Sequence, residues 1–178
     1  MQKVELKPKQ DIIGIENIHK HTNNTYQIQK CFYGNLKNIE NYKKVQQWES
    51  ECFQHGNTTV FKHSRNVAYM SIRAAHRLEK RFGISFNYNN LLAGAFLHDM
   101  FLYDWHEKDA SHRLHGFRHP KTASKNAKEI CNVNNEVASI IQTHMWPLTI
   151  TKVPRSREAF MVCMIDKYVA LMETIKRK

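Results

Sequence analysis

The chain has 178 residues, of which 42% are hydrophobic and 11% aromatic, and this is enough apolar material for one domain with its own core. Lysine and arginine outnumber aspartate and glutamate by 11, so the protein is strongly basic. This charge indicates an anionic small-molecule substrate, a nucleic-acid partner, or a lysine-rich composition with no specific partner. Because no basic run with interleaved aromatic residues is present, nucleic acid is disfavoured as a partner but stays open.

Only six glycines and four prolines interrupt the chain, and the alternating pattern of β-strands is scarce. The sequence therefore predicts an all-α fold, with residues 1–25 as an N-terminal extension and residues 26–178 as one helical domain. The first ten residues do not resemble a signal peptide, and no apolar run is long enough to cross a bilayer. The four cysteines are far apart, which is typical of reduced thiols in a cytoplasmic protein, and we expect that location.

Apolar residues recur at helical spacing along most of the chain. The spacing predicts helices over 26–35, 39–53, 59–81, 91–102, from 119, from 135, and over 156–175. The segment from Gly56 to Thr59 predicts a break followed by an N-cap, and Gly83 predicts the end of the third helix. Residues 103–118 form a predicted loop, which is long for a compact domain and therefore favours a functional role.

The stretch from Leu91 to His106 sets His98 and Asp99 at the end of an apolar run. On a helix, this pair would face the same core as the leucines around it. A buried carboxylate without a partner costs several kcal/mol, so we expect a cation to lie against Asp99. A divalent metal shared by several helices meets that need.

Polar residues interrupt the apolar stripes of other predicted helices as well. The complete set is His63, His98, Asp99, His119, His144 and Asp166. A single inward histidine is more often a core residue bonded to a carbonyl, and a single buried aspartate more often caps a neighbouring helix. Six nitrogen and oxygen donors from five successive helices instead indicate a metal site.

The order of these residues resembles the HD-domain superfamily of metal-dependent phosphohydrolases, an all-α fold named after its His-Asp pair. The similarity runs from about His63 to Lys167 and is carried by three segments, FKHS at 61–64, FLHD at 96–99 and MIDK at 164–167. It implies that a first metal is held by His63, His98, Asp99 and Asp166. His119 and His144 match the subset that binds a second metal, with Asp99 bridging. His115 is a further candidate ligand, and its interpretation as a loop histidine stays open.

The resemblance implies a hydrolase of phosphate monoesters or diesters, acting on a nucleotide-like or other small substrate. The Gly-Tyr-Pro signature of cyclic-dinucleotide phosphodiesterases is absent, and Met100 to Leu102 replace the Glu-Asp pair of alarmone hydrolases. Without that glutamate, two divalent metals would have to generate the bridging hydroxide that attacks phosphorus. Imidazole and carboxylate donors without thiolate suit Mn, Fe, Co, Ni or Zn.

Several residues close to the ligands in sequence are candidates for contact with the phosphate. Asp99, Lys121 and Lys167 are predicted to act in catalysis, and Arg118, Lys121 and Trp146 to bind substrate. Arg113 is a further cationic candidate. A solvated surface charge is the alternative for each cation, and a core position is the alternative for Trp146.

Four more residues of the predicted loop remain open. Tyr103 and Trp105 would stack on a nucleobase or simply belong to the core. Asp104 and His106 would orient ligands or move a proton, or are plain loop residues. Two other functions also remain open, since some HD-fold proteins with this ligand set are di-iron oxygenases, and the net charge would suit a non-catalytic module that binds nucleotide or nucleic acid. The sequence does not determine the oligomeric state.

Overall fold

The protein is described here by a computed structural model, which covers residue 32 and residues 34–55, 58–103 and 115–175. Its helices are α1 Tyr42–Glu51, α2 Val60–Phe82, α3 Tyr88–Leu97, α4 His115–Cys131, α5 Asn135–Thr143 and α6 Arg157–Ile175. A short antiparallel pair, β1 Phe53–His55 and β2 Thr58–Thr59, connects α1 to α2. The predicted all-α class is confirmed. The extension over 1–25 and most of the helix predicted over 26–35 lie outside the described residues.

Helix α3 forms the centre of the fold, and α2, α4, α5 and α6 contact it. It is apolar around its whole circumference, as expected of a helix that is covered on all sides. Leu91, Ala95 and Phe96 have no exposed surface. The ring of Phe96 stacks on Tyr42 of α1 at 5.6 Å and meets Phe61 of α2 edge-on at 6.0 Å. The end of α3, where His98 and Asp99 follow, is therefore fixed inside the domain.

Capping residues explain where three of the helices begin. Thr59 accepts a hydrogen bond from the amide of Lys62, and Asn87 and Asn134 do the same for α3 and α5. At the other end of α2, Gly83 adopts a φ of 68° and its N–H bonds the carbonyl of Glu79. Because that left-handed conformation strains residues with a Cβ, glycine is the expected residue there. The predicted break before Thr59 and the end at Gly83 are both confirmed.

Two helix boundaries near the polar pair differ from the prediction. Helix α3 was expected over 91–102 but ends at Leu97, so His98 is its C-cap and Asp99 lies in the following turn. The chain reverses there, with the amide of Phe101 bonded to the carbonyl of Asp99 and with Leu102 at a φ of 61°. Apolar periodicity continues through this turn because the turn is buried. The sequence pattern therefore predicts a longer helix than the structure has.

Helix α4 was expected to begin at His119 but begins at His115 and contains Pro120. Pro120 is the sixth residue of α4, so it lacks the N–H that would bond the carbonyl of Gly116, and the helix loses one hydrogen bond near its start. Helix α1 in turn is shorter than the expected 39–53. It begins after Asn41, which has a φ of 59° and donates from its side chain to the carbonyl of Ile130 at 2.6 Å.

The described cysteines and helices bear on the predicted thiols and on the absence of a membrane span. Cys131 and Cys163 are buried thiols, Cys52 is half-buried, and none of these three forms a disulfide. None of the described helices has the length and apolar character needed to cross a membrane.

Helices α3 and α5 approach each other so closely at Gly94 that a side chain there would clash. A Cβ on Gly94 would lie 2.6 Å from Cγ2 of Ile140 and 3.0 Å from its Cβ. We expect Gly94→Ala to lower the free energy of unfolding by about 1–3 kcal/mol, as overpacking does elsewhere, although alanine favours helix. Urea denaturation would measure the loss.

The matched control is Gly34→Ala, since a Cβ at Gly34 meets no atom within 4 Å. That variant should be as stable as the original protein or slightly more so. Combining Gly94→Ala with Ile140→Ala should cost less than the sum of the two single changes. Wild-type stability in Gly94→Ala would contradict the close packing of α3 against α5.

Candidate metal centre

The six donors predicted from the sequence meet in the interior of the domain. His63 comes from α2, His119 from α4 and Asp166 from α6, while His98 with Asp99 and His144 follow the ends of α3 and α5. Each of the six exposes at most 8% of its surface. Their donor atoms form three overlapping groups of three, and the atoms within each group lie within 4.8 Å of one another. The six residues therefore form one buried cluster, here called the donor cluster.

Two histidines of the donor cluster are held in one orientation by backbone carbonyls behind them. Nδ1 of His98 bonds the carbonyl of Ala95 at 2.8 Å, and Nδ1 of His144 bonds the carbonyl of Ile141 at 2.7 Å. These carbonyls end α3 and α5 and lack helical partners, so each histidine caps its own helix. A carbonyl only accepts, so the proton of each ring is on Nδ1. In the neutral ring, Nε2 then presents a lone pair to the cluster.

Asp99 stands between two pairs of histidines. Its Oδ2 lies 3.3 Å from Nε2 of His98 and 3.9 Å from Nε2 of His63. Its Oδ1 lies 3.2 Å from Nε2 of His119 and 3.6 Å from Nε2 of His144. Each oxygen of this carboxylate therefore faces a different pair of imidazoles.

Asp166 lies closest to the first of these two pairs, although a donor atom of His144 is also within 4.8 Å of it. Its Oδ1 lies 3.1 Å from Nε2 of His63 and 3.4 Å from Nε2 of His98. On the other side, the Nε2 atoms of His119 and His144 are 2.9 Å apart. The cluster thus has two halves. One consists of His63, His98 and Asp166, and the other of His119 and His144, and each half faces one oxygen of Asp99.

The electrostatics of the cluster follow from burial and from the charges that face each other. Burial alone would raise the pKa of Asp99, but His98 and His119 outweigh it and hold the pKa well below its usual range. Burial likewise raises the pKa of Asp166, but the hydrogen bond from His63 and the neighbouring His98 outweigh it, and the net pKa is lowered. Both carboxylates are therefore ionised at neutral pH.

The histidines divide into two kinds. Burial lowers the pKa of His63, but hydrogen bonds to Asp166 and Glu173 outweigh it and raise the pKa to about 9. The pKa of His98 is also raised, since the nearby carboxylates Asp99 and Asp166 exceed the effect of burial. Burial and the charges of His98 and His119 lower the pKa of His144 to about 3. The carboxylates thus favour positive charge nearby, but not every imidazole becomes protonated, since His144 stays neutral.

These observations fit a bound cation. Nε2 of His98 makes no hydrogen bond to any described residue, although two carboxylates lie beside it. Nε2 of His119 and Nε2 of His144 lie 2.9 Å apart and both face Oδ1 of Asp99, so the three atoms are close enough to bind one ion. Imidazole nitrogens and carboxylate oxygens are the donors that divalent transition metals bind. The donor cluster is therefore a candidate metal centre.

The predicted substrate residues lie at different distances from this centre. Lys167 donates from Nζ to the carbonyl of His144 at 2.8 Å and to that of Cys163 at 3.1 Å. Its ammonium therefore joins α6 to the end of α5. Trp146 is half-buried, and its carbonyl accepts from the thiol of Cys163 at 3.1 Å.

Arg118 and Lys121 are both exposed on α4. At 100° per residue, Lys121 leaves the helix on the side opposite to His119, so the structure does not bring it to the donor cluster. Arg118 is better placed. Burial and the charge of Asp99 raise the pKa of Tyr103, and the charge of Arg118 opposes them, so Tyr103 lies within reach of both.

The other predicted positions are outside the described part of the chain. Asp104, Trp105, His106 and Arg113 fall in the undescribed range 104–114. The backbone of His115 begins α4, but nothing is described of its side chain. The predicted roles of these residues stay predictions.

Sequence reasoning missed Glu173. Its Oε2 accepts from Nδ1 of His63 at 2.9 Å, and its Oε1 accepts from the side-chain amide of Asn66 at 2.9 Å. A carboxylate behind a ligating histidine fixes the ring and strengthens it as a ligand. Glu173 follows Asp166 by seven residues and so shares its helix face, which was the available signal. Because an acidic residue near a helix end is usually solvated, the sequence did not distinguish Glu173 from a surface residue.

Sequence reasoning also missed Glu49 of α1, which is 2% exposed. Neither of its carboxylate oxygens has a hydrogen-bond partner among the described residues. Burial raises its pKa well above the usual value, although His98 and His63 oppose this and Asp99 adds to it. Its position four residues after the buried Val45 places it on the inner stripe of α1.

Comparison with known proteins gives one match. The family model of the HD domain matches residues 60–171, which is more than half of the chain. The matched range includes the whole donor cluster and leaves out Glu49 and Glu173. No curated protein and no solved structure matches the chain significantly.

The contact of Glu173 with His63 leads to a prediction about metal affinity. We expect Glu173→Gln to weaken metal binding about 10- to 100-fold, because a neutral amide holds the imidazole less firmly and makes it a poorer ligand. Titration of the metal-free protein with Mn²⁺ or Zn²⁺, followed by calorimetry, would measure the change.

The control is Glu158→Gln, the same substitution at the other end of α6. Glu158 accepts from the backbone amide of Asn87 at 2.8 Å and does not contact the donor cluster. Its loss should affect stability but leave metal affinity unchanged. Equal affinities in Glu173→Gln and the original protein would show that this carboxylate only supports the fold.

Proposed function

Because this chain belongs to the HD-domain superfamily of metal-dependent phosphohydrolases, we propose that it hydrolyses a small phosphate ester at a centre of two divalent metals. The substrate class is a nucleotide-like or other small phosphomonoester or phosphodiester. One observation carries the proposal above all. The two oxygens of Asp99 face different pairs of histidines, which is the arrangement that a carboxylate shared by two ions requires.

The residues divide between the two ions accordingly. The first ion would be held by His63, His98, Asp166 and Oδ2 of Asp99. The second would be held by His119, His144 and Oδ1 of Asp99. Mn, Fe, Co, Ni and Zn all suit nitrogen and oxygen donors without thiolate. The second group has fewer protein ligands, which leaves more room for water and substrate.

The charge of such a centre favours a phosphate ester. The donors include only two carboxylates, so two dications leave it net positive, and burial strengthens its attraction for an anion. Divalent cations, when bound, lower the pKa of coordinated water towards about 7 and polarise a phosphoryl oxygen. Glu49 adds no charge in its protonated form, which its raised pKa favours.

The other side chains would complete the site. Arg118 is exposed on α4, next to His119 in sequence, and its charge acts on Tyr103 together with that of Asp99, so it is proposed to bind the phosphate. Lys167 is proposed to keep His144 in place through its carbonyl, besides any charge it provides to the phosphate. Trp146 is proposed to form a wall of the substrate pocket, whereas Lys121, on the opposite side of α4 from His119, has no proposed role.

The proposal is tested by a substrate panel on protein reconstituted in turn with Mn, Fe, Co, Ni and Zn. The panel comprises p-nitrophenyl phosphate, bis-p-nitrophenyl phosphate, nucleoside monophosphates, cyclic nucleotides, sugar phosphates and phosphonates. We expect metal-dependent release of phosphate or alcohol that also proceeds without dioxygen. On the best substrate, Arg118→Ala should raise KM several-fold, because it removes a cation that is proposed to bind the phosphate.

Lys125→Ala is the control for Arg118→Ala. Lys125 is also exposed on α4, but it pairs with Glu129 at 3.8 Å, and its removal should leave KM unchanged. An absolute need for dioxygen would replace hydrolysis by oxygenase chemistry. Tight, salt-sensitive binding of nucleotide or nucleic acid with no turnover would replace it by a binding function.

The division of ligands predicts how many ions each variant retains. Asp99→Ala should lose both ions, and His144→Ala should lose mainly the second, because only Asp99 faces both groups. Elemental analysis of dialysed, reconstituted protein would count the ions, and circular dichroism would verify that each variant folds. Full metal occupancy in Asp99→Ala would rule out the shared carboxylate.

A further inference from the structure

The outer face of α6 carries five large apolar side chains that are about half exposed. Their exposed fractions are 52% for Phe160, 48% for Met164, 49% for Tyr168, 58% for Leu171 and 55% for Ile175. They follow each other at intervals of four, four, three and four residues, so they lie along one side of the helix. These five residues are called the α6 stripe below.

The α6 stripe lies opposite the face that α6 turns to the core. At 100° per residue, Met164, Tyr168 and Leu171 lie about 140–200° from Asp166 around the helix axis. Asp166, Val162 and Val169 are buried on the inner side, against α2, α3 and α5. Helix α6 is therefore apolar on both faces. A helix of this kind is normally covered on both sides, and the described part of the chain covers only one.

We propose that the α6 stripe is the contact surface of a homodimer, in which α6 of one copy packs against α6 of a second copy. Large side chains present roughly 150–250 Å² each when fully exposed, so the half-exposed stripe offers about 400–600 Å². Flanking polar residues bring such a surface towards the roughly 800 Å² per partner that a standard interface buries. An exposed patch of this size is at the upper limit for a monomer.

The spacing of the stripe also fits pairing of two helices. Met164, Tyr168, Leu171 and Ile175 follow each other by four, three and four residues, which is the seam of a helix that packs along another helix. A two-fold axis would place the same surface on both copies. Tyr168 lies at the middle of the stripe, so it would meet its counterpart whether the two helices run parallel or antiparallel.

The charges on α6 favour a second copy over a lipid or nucleic-acid partner. Helix α6 contains two basic residues, Arg157 and Lys167, against three acidic ones. An amphipathic helix that lies on a membrane carries many lysines and arginines on its polar face. The net charge of +11 is therefore located elsewhere, and α6 has little electrostatic repulsion from an identical helix.

The test uses the full chain with its metals bound. We expect the original protein to sediment as a dimer at about 10–100 μM, and Leu171→Glu to sediment as a monomer, because a carboxylate would be buried at the contact. Circular dichroism and metal content should stay unchanged, since Leu171 points away from the core. The control is Ile150→Glu, which introduces the same charge at a 76% exposed side chain outside the stripe and should leave the dimer intact.

Cysteine crosslinking provides a second measurement. Tyr168→Cys should form a disulfide-linked dimer under mild oxidation, whereas Ile150→Cys should not. A monomer at all concentrations would overturn the proposal, and so would a dimer that persists in Leu171→Glu and does not crosslink through Tyr168→Cys. The proposal does not rest on phosphohydrolase activity, since sedimentation reports the assembly whether or not any substrate is turned over.

Discussion

The structure depends on a buried carboxylate, Asp99, that four imidazoles surround. In an apolar interior this charge would be costly, and the fold compensates by aiming Nε2 atoms at both of its oxygens. Protons alone satisfy the arrangement poorly, because the pKa of His144 is lowered to about 3, so its Nε2 presents a lone pair to Asp99 rather than a donor. A cation removes this conflict, and for this reason we interpret the cluster as a metal centre.

The secondary structure serves this arrangement at the helix ends. His98 and His144 both follow the last residue of a short helix, and both use Nδ1 to bond a carbonyl three residues earlier. The same hydrogen bond therefore caps the helix and orients the ligand. Gly94 lets α3 and α5 approach closely, and this brings the two capped ends together. The rings of His98 and His144 are consequently only 4.9 Å apart.

Helix α6 links the centre to the protein surface. Its inner face supplies Asp166 to the donor cluster and Glu173 to the back of His63, while Lys167 bonds the carbonyl of His144. Its outer face carries the α6 stripe. A partner helix packed on that stripe would hold α6 in place from the other side, so the proposed dimer and the proposed metal centre would support each other mechanically without sharing a residue.

The sequence by itself determined the all-α class and the six donors. A polar residue at an inward position of an apolar stripe carries a desolvation cost unless it bonds a partner or a metal. It also determined the ends set by local chemistry, at Thr59 and Gly83. Only the tertiary structure decided that α3 stops at Leu97, since a buried turn keeps the apolar pattern of a helix. Only the tertiary structure revealed Glu173 and Glu49, because whether an acid on a helix is solvated or buried depends on what packs against it, and that neighbour is distant in sequence.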